Sequence, residues 1–94
     1  MAEVKVKLFA NLRERAGTAE LFLSGARVLD VLESLIKKCP DLEEFIFEKG
    51  NKSPELCAYI NVLINGNNIR HLDSLETLLS DGDEIAVLPP VSGG

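Results

Sequence analysis

Histidine, cysteine and tryptophan are scarce in this sequence of 94 residues, which has one histidine, two cysteines and no tryptophan. Cys39 and Cys57 are too few and too far apart to form a recognisable metal or redox motif, and nothing in the sequence supports a disulfide between them. We interpret them as buried thiols, a common environment of free cysteine. His71 has no companion cysteine, histidine or carboxylate at a ligand spacing, which favours a surface position.

Catalytic motifs are missing as well. The sequence has no Ser/His/Asp set, no plausible pair of catalytic carboxylates and no phosphate-binding loop, and INGNNI at positions 64–69 is not a nucleotide-binding glycine motif. We therefore expect a protein that is not an enzyme by itself and that holds no cofactor and no metal.

Positive charge is also in short supply. Ten lysines and arginines stand against fifteen aspartates and glutamates, a formal net charge of −5, and only Lys37 and Lys38 are adjacent. A nucleic-acid-binding protein needs clustered basic side chains to neutralise phosphates, so a nucleic-acid partner is not expected. An acidic surface favours solubility and attraction to a basic partner protein.

Long hydrophobic runs are absent, and no stretch approaches the length of a membrane-spanning helix. The N-terminal MAEVKVKLF carries a charge at its third position and alternates in polarity, which does not fit a signal peptide. We expect a cytoplasmic protein. Its length, with 46% apolar and 27% charged residues, suits one globular domain with a modest core.

The first quarter of the chain has the period of β-strands. EVKVKLF alternates strictly, with three apolar residues on one face (Val4, Val6 and Leu8). ANLRERAG then predicts a helical turn that ends at Gly17, and AELFLS predicts a second strand with Leu21 and Leu23 inward and Phe22 on the opposite face. A short connection between two strands predicts antiparallel pairing.

The next segment, RVLDVLESLIKKCP, changes to the period of a helix. Six residues at helical spacing form one apolar stripe: Val28, Val31, Leu32, Leu35, Ile36 and Cys39. Pro40 ends this helix. Arg27 stands where a capping serine or threonine is expected, which leaves the start of the helix open by a few residues.

Four shorter elements follow. PDLEEFIFEKG predicts a second helix ending at Gly50, and LCAYINVLINGNNI predicts a strand, an Asn65-Gly66 hairpin turn and a short return strand. Asp73 and Glu76 have the spacing of a capping box that opens a brief helical turn. EIAVL is the most apolar strand, which predicts a central position, parallel to the first strand.

Together these elements predict an α+β fold, a β-grasp roll with a mixed sheet on one main helix. The domain is predicted to span residues 1–88 and to be followed by an extended tail at 89–94.

Two segments carry a resemblance to a known family. VKVKLFANLRERAG and LLSDGDEIAVLPPVSGG resemble the first strand and helical turn, and the acidic turn, last strand and Pro-Pro-Val-x-Gly-Gly tail, of the MoaD/ThiS family of ubiquitin-like sulfur carriers. The similarity covers essentially the whole chain and favours the molybdopterin synthase small subunits. The segment at 40–55 is somewhat long for the family, and Arg27 stands where its members often cap the helix.

The resemblance implies a function for the last residue. An ATP-consuming, E1-like enzyme would adenylate the carboxylate of Gly94, a sulfur source would convert it into a thiocarboxylate, and the sulfur would pass to a molybdopterin precursor in the large subunit of molybdopterin synthase. The resemblance also places the partner contacts along the tail and at its root: Gly93, Ser92, Val91, Pro90, Pro89, Leu88 and Phe9. Glycines allow close approach inside a partner's channel, and prolines limit the entropy lost when the tail docks.

The sequence permits two interpretations of the surface around the tail. Phe9 and Leu88 would lie close together if the first and last strands pair, either as an anchor for the large subunit or as ordinary core residues. Phe22 is a weaker candidate for the same face. Solvated charge is the simpler interpretation of Arg13 and Arg15, and a core position that of Phe45 and Phe47.

Other functions remain open at this point. The same activated tail would serve a ubiquitin-like modifier joined to lysines, or a sulfur carrier for tRNA thiolation or thiamine synthesis, whereas a passive interaction domain would not use it. The sequence does not distinguish molybdenum from tungsten pathways, and it does not identify the sulfur donor or the oligomeric state of the free protein. The resemblance implies a heterotetramer with the large subunit.

Overall fold

Five strands form one mixed sheet in the computed structural model, which describes residues 1–50 and 54–89. In chain order the elements are β1 (Ala2–Leu8), α1 (Ala10–Ala16), β2 (Glu20–Gly25), α2 (Val28–Lys38), α3 (Glu43–Ile46), β3 (Asn61–Ile64), β4 (Asn67–Asn68) and β5 (Glu84–Leu88). Short 3₁₀ turns occupy Pro40–Leu42, Ile69–His71 and Ser74–Glu76.

The strand order is β2-β1-β5-β3-β4. β5 runs parallel to β1 and antiparallel to β3, and the β1–β2 and β3–β4 pairs are antiparallel. The apolar EIAVL segment is therefore the central strand, as its sequence predicts. The predicted α+β fold, a β-grasp, is confirmed.

The core lies between the sheet and α2. Inward residues of β1 and β5 (Val4, Val6, Leu8, Ile85 and Val87) pack with the buried face of α2 (Val28, Val31, Leu32 and Leu35). Ile36 and Cys39 are half-buried at the margin of this core. Within residues 1–50 and 54–89, no helix has the length and apolar character needed to cross a membrane.

The start of α2 combines a local cap, in which Asp30 accepts the backbone N–H of Arg27, with a long-range ion pair between Arg27 and Glu76. The backbone N–H of Arg27 donates to Asp30 Oδ2 at 3.0 Å, and its guanidinium binds Asp30 and both carboxylate oxygens of Glu76. The predicted capping box of Asp73 with Glu76 is wrong, because the Glu76 side chain is turned to Arg27. The Thr77 hydroxyl accepts the Asp73 N–H at 3.0 Å instead.

The segment between α2 and β3 is less regular than its sequence suggests. The helix predicted to run to Gly50 ends at Ile46, and Phe47 is buried and forms an isolated bridge with Leu56. The strand predicted to begin at Leu56 begins at Asn61. The Asn65-Gly66 turn is confirmed, with positive φ angles of 49° and 88° at its two residues.

Candidate functional site

The predicted working end of the chain lies at the edge of the described residues. Five of the predicted site residues are outside them, so their roles remain predictions: Pro90, Val91, Ser92, Gly93 and Gly94. The proposed boundary between the domain and its tail at Pro89 is likewise not tested. Leu88 and Pro89 are described, and both are half-buried. The structure therefore defines the root of the tail, the place where the chain leaves the sheet.

Leu88 is the last residue of the central strand, with a neighbouring strand on each side. It pairs with Asn61 of β3. On the other side the register aligns Leu8 with Val87, so continuing it by one residue places Phe9 alongside Leu88. Leu8 and Val87 are buried under α2, and alternation turns the next residue of each strand to the opposite face.

Phe9 and Leu88 are therefore not residues of the buried core. Phe9 is 39% exposed and Leu88 is half-buried, and both lie on the face of the sheet that α2 leaves open. Phe9 also precedes α1, where its carbonyl accepts hydrogen bonds from the N–H groups of Leu12 and Arg13. An aromatic and an aliphatic side chain thus flank the tail root at a fixed point of the backbone. Their contact with a partner remains a prediction.

The rest of this open face mixes charged and apolar side chains, including Lys5, Lys7, Phe22, Leu63, Glu84 and Ala86. Lys7 Nζ lies 3.4 Å from Glu84 Oε1, and Lys5 Nζ lies 6.0 Å from the centroid of the Phe22 ring. Phe22 is 71% exposed. Because it pairs with Lys5, four residues before Phe9 on β1, it stands about 13 Å along the strand from the tail root.

Basic side chains of α1 lie near this end of the sheet. Lys7, Phe9, Arg13 and Glu20 line a shallow cleft of about 190 Å³ beside the tail root. The Arg15 guanidinium lies 5.2 Å from the centroid of the Phe45 ring, so this arginine is packed on an aromatic face. The interpretation of Arg15 as a purely solvated charge is therefore incomplete.

A polar cluster on the other side of the tail root was not anticipated from the sequence. Arg70 donates hydrogen bonds to the turn that precedes β3, and the side chains of Asn61 and Asn68 join the same network. The local sequence NNIRHL does not predict these hydrogen bonds of Arg70, because the carbonyl oxygens that accept them lie in a different segment of the chain, at residues 57–60. We call Tyr59, Asn61, Asn68 and Arg70 the polar flank.

The structure describes the surroundings of both cysteines and of the histidine. Cys39 and Cys57 are free and half-buried, so the expectation of buried thiols is met only in part. Burial raises the pKa of the Cys57 thiol, with a smaller contribution from the Glu48 charge, which makes it a weak nucleophile at neutral pH. His71 is exposed, as its sequence context predicts. Across the described part of the chain, no group of His, Cys, Asp and Glu side chains could hold a metal ion.

Similar proteins share this architecture over their whole length. The structure of small archaeal modifier protein 1 from Methanosarcina acetivorans has a TM-score of 0.93 and 68% sequence identity, and the match covers 100% of this chain and 98% of that one. Small archaeal modifier protein 1 of Haloferax volcanii is 42% identical over 94% of this chain and 97% of its own length. The molybdopterin synthase sulfur carrier subunit of Chlamydomonas reinhardtii is 33% identical, with 98% and 99% covered.

A family model matches almost all of the sequence. The model of the ThiS family aligns with residues 6–94, a range that includes every strand except the first residues of β1 and also includes the tail. With the β-grasp fold and these relatives, the match identifies the family. The chain belongs to the ThiS family of ubiquitin-like sulfur carriers.

Proposed function

We propose that this protein works through the carboxylate of Gly94 as the sulfur carrier and small subunit of a molybdopterin synthase. An E1-like enzyme adenylates Gly94 at the expense of ATP, and a sulfur source then converts the adenylate into a thiocarboxylate. A larger partner subunit receives the tail and uses its sulfur to build molybdopterin. The family membership and the relatives named as sulfur carrier subunits support this proposal.

The chemistry explains why a separate activating step is needed. A carboxylate is a poor electrophile, so one of its oxygens attacks the α-phosphorus of ATP and pyrophosphate leaves. Hydrosulfide, or a sulfur nucleophile in the same oxidation state, then adds to the acyl carbon of the adenylate. AMP leaves and takes with it the carboxylate oxygen that had attacked the phosphorus. The carrier supplies only the acyl group, and the activating partner supplies the ATP site. The carrier is thus a cosubstrate and not a catalyst by itself.

One observation carries the proposal at the level of geometry: the chain leaves the sheet from the end of its central strand. Leu88 is held between β1 and β3, and Phe9 and Leu88 lie together on the open face. A partner that seats on this face also receives whatever follows Leu88. Pro89 has a ring-fixed φ, which limits the directions that the following residues can take. When the folded domain is already bound to the partner, less entropy is lost as the tail enters a narrow channel of that partner.

Intact-mass spectrometry tests the proposal. The protein is incubated with ATP, a sulfide source and the E1-like enzyme of the same organism. The mass is expected to rise by the difference between one sulfur and one oxygen. The thiocarboxylated product is then expected to yield molybdopterin when it is mixed with the large subunit and the pterin precursor, and the carrier returns to its carboxylate form. The absence of a mass change with an enzyme that adenylates its other substrates would contradict the proposal.

A second function has specific support. Relatives 68% and 42% identical to this chain are named small archaeal modifier proteins. We propose conjugation of Gly94 to lysine amines as the alternative use of the same activated tail. Cell lysates that contain a tagged copy would then show a ladder of conjugates that disappears when Gly94 is deleted. A carrier used only for sulfur transfer would give the thiocarboxylate without a ladder.

A further inference from the structure

The turn at residues 57–60 lies beside the root of the tail. β3 and β5 are antiparallel, and their register pairs Asn61, the first residue of β3, with Leu88, the last residue of β5. The residues that enter β3 are therefore neighbours of the residues that leave β5, and one further step of the register brings Ile60 alongside Pro89. Phe9 lies on the β1 side of Leu88, so this turn is the opposite flank of the tail root.

Arg70 holds this turn from the side. Its Nη1 donates to the carbonyl oxygen of Ile60 at 2.8 Å, and its Nη2 donates to those of Cys57 at 3.0 Å and Ala58 at 3.4 Å. A guanidinium that donates to several carbonyls is a charge-assisted clamp, and its planar fork fixes the spacing of the acceptors. A longer contact of 3.5 Å joins Nη1 to Asn61 Oδ1.

The clamp itself is positioned by the asparagines of the polar flank. Asn68 Oδ1 accepts the backbone N–H of Arg70 at 2.9 Å, and Asn68 Nδ2 donates to Asn61 Oδ1 at 3.2 Å. Asn61 is the residue that pairs with Leu88. One hydrogen-bonded network therefore connects the backbone turn, Arg70 and the strand pair from which the tail emerges.

This network presents Tyr59, the only tyrosine of the sequence, to solvent. Tyr59 is 78% exposed, although the turn that carries it is fixed by Arg70. A single exposed aromatic residue is ordinary on a protein surface. An exposed tyrosine on a restrained backbone beside a functional tail is a better contact, because little conformational entropy is lost when it is buried by a partner.

We propose that the polar flank is a docking site for the adenylating enzyme, with Tyr59 as the contact residue and Arg70 as the positioning residue that holds its turn. This inference rests on the proposed function. The two flanks of the tail root differ in chemistry: Phe9 and Leu88 are apolar, whereas Asn61, Asn68 and Arg70 offer amide and guanidinium groups. Lasting subunit contacts favour apolar surface and transient contacts more polar surface, so we assign the polar flank to the enzyme that binds and releases the carrier.

Steady-state ATP–pyrophosphate exchange by the E1-like enzyme, with the carrier as the varied substrate, tests this assignment. Tyr59→Ala is expected to raise the KM for the carrier about tenfold, the loss of one interface anchor, with kcat within about twofold of wild type. Tyr59→Phe keeps the ring and is expected to behave as wild type. Arg70→Lys keeps the positive charge but loses the planar guanidinium that donates to several carbonyls at once, and it is expected to raise KM without a matching fall in kcat. Leu78→Ala is the control, an exposed residue at the other end of the sheet.

The outcomes separate this inference from the proposed function. If wild type supports exchange and Tyr59→Ala has an unchanged KM, the docking site is wrong and the proposed function stands. If Tyr59→Ala instead weakens binding of the large subunit, the assignment to the adenylating enzyme is overturned. If Arg70→Lys lowers the melting temperature and leaves KM unchanged, Arg70 is structural only. If wild type itself supports no exchange, both proposals fail.

Discussion

Leu35 lies on the buried face of α2 with no exposed surface, in contact with the core that supports the sheet. Leu35→Ala removes apolar atoms from this site and leaves a cavity that the surrounding strands fill only in part. We expect it to lower the free energy of unfolding by about 2–5 kcal/mol. Urea unfolding monitored by circular dichroism measures the loss.

The half-buried Leu29 of the same helix supplies the matched control for this prediction. Leu29→Ala changes helix propensity in the same way but removes less buried surface, so its cost is expected to be smaller. Equal losses for the two variants would mean that the interior position of Leu35 does not determine its contribution.

Leu88 is the residue at which the body of the protein passes into its tail. Leu88→Asp places a charge on the open face between Phe9 and Asn61, and the buried neighbour Val87 is unaffected. We expect binding of the large subunit to weaken by about tenfold or more, since a carboxylate in an apolar contact must lose its hydration. Isothermal titration calorimetry with the isolated large subunit measures the affinity.

Leu78→Asp controls for the added negative charge. Leu78 is 75% exposed and bridges to Arg27 near the start of α2, at the end of the sheet remote from Leu88. Its substitution is expected to leave the affinity unchanged. A Leu88→Asp variant that binds as tightly as wild type would show that this side chain is outside the interface.

At the level of elements, the start of α2 is tied to the 3₁₀ turn at Ser74–Glu76 by Arg27. Hydrogen bonds from the Arg27 side chain, with help from its charge and backbone N–H, hold the pKa of the Asp30 carboxyl below its usual range against the opposing effect of partial burial. The same contacts with Asp30 and Glu76 raise the pKa of Arg27. The carboxylate form of Asp30 therefore favours the folded state.

This linkage predicts a pH-dependent stability. Because the folded pKa of Asp30 is lowered, its contribution is present above the ordinary pKa of about 3.8 that applies to the unfolded chain, and it is lost as the pH falls through the folded pKa. Asp30→Asn is expected to destabilise the protein more at about pH 7 than at about pH 3, as measured by urea unfolding at both values. Asp41→Asn, at an exposed position after α2, is the control. A penalty for Asp30→Asn that does not change with pH would contradict the linkage.

Regular elements could be predicted from the sequence where short-range patterns decide the structure. Two predicted apolar patterns match the buried faces of their elements: the alternation at Val4, Val6 and Leu8, and the helical stripe from Val28 to Leu35. The period of two in a strand and of 3.6 in a helix determines which face each side chain occupies. The placement of Phe9 and Leu88 outside the core follows from the same alternation once the pairing of β1 with β5 is known.

Long-range polar contacts account for the elements that the sequence did not reveal. Residues 56–60 have the composition of a strand, but Arg70 takes the carbonyl oxygens of Cys57, Ala58 and Ile60 and holds a turn there. Glu76 has the spacing of a capping residue, but its carboxylate binds Arg27, 49 positions away. Neither partner can be inferred from a local window, since each contact exists only after the sheet and α2 have assembled.

For the whole molecule, the described core ends before the proposed reactive group in the sequence. Every buried apolar residue among those described lies at or before Val87, and Gly94 follows the last of them. Gly94 has no side chain, so its deletion is expected to leave the melting temperature within about 1 °C of wild type and to abolish thiocarboxylation. Differential scanning calorimetry and intact-mass spectrometry provide the two measurements. A large loss of thermal stability would show that the tail contributes to the fold.

The parallel pairing of β1 with β5 joins strands from nearly opposite ends of the sequence. A chain still emerging from the ribosome cannot complete its sheet, because the strand that belongs at the centre is made last. Contacts this distant in sequence also form late when the chain collapses. The polar flank adjoins the tail root only when β3 is paired with β5. Under our proposal, an activating enzyme that docks on this flank therefore rejects unfinished or misfolded copies before any ATP is consumed.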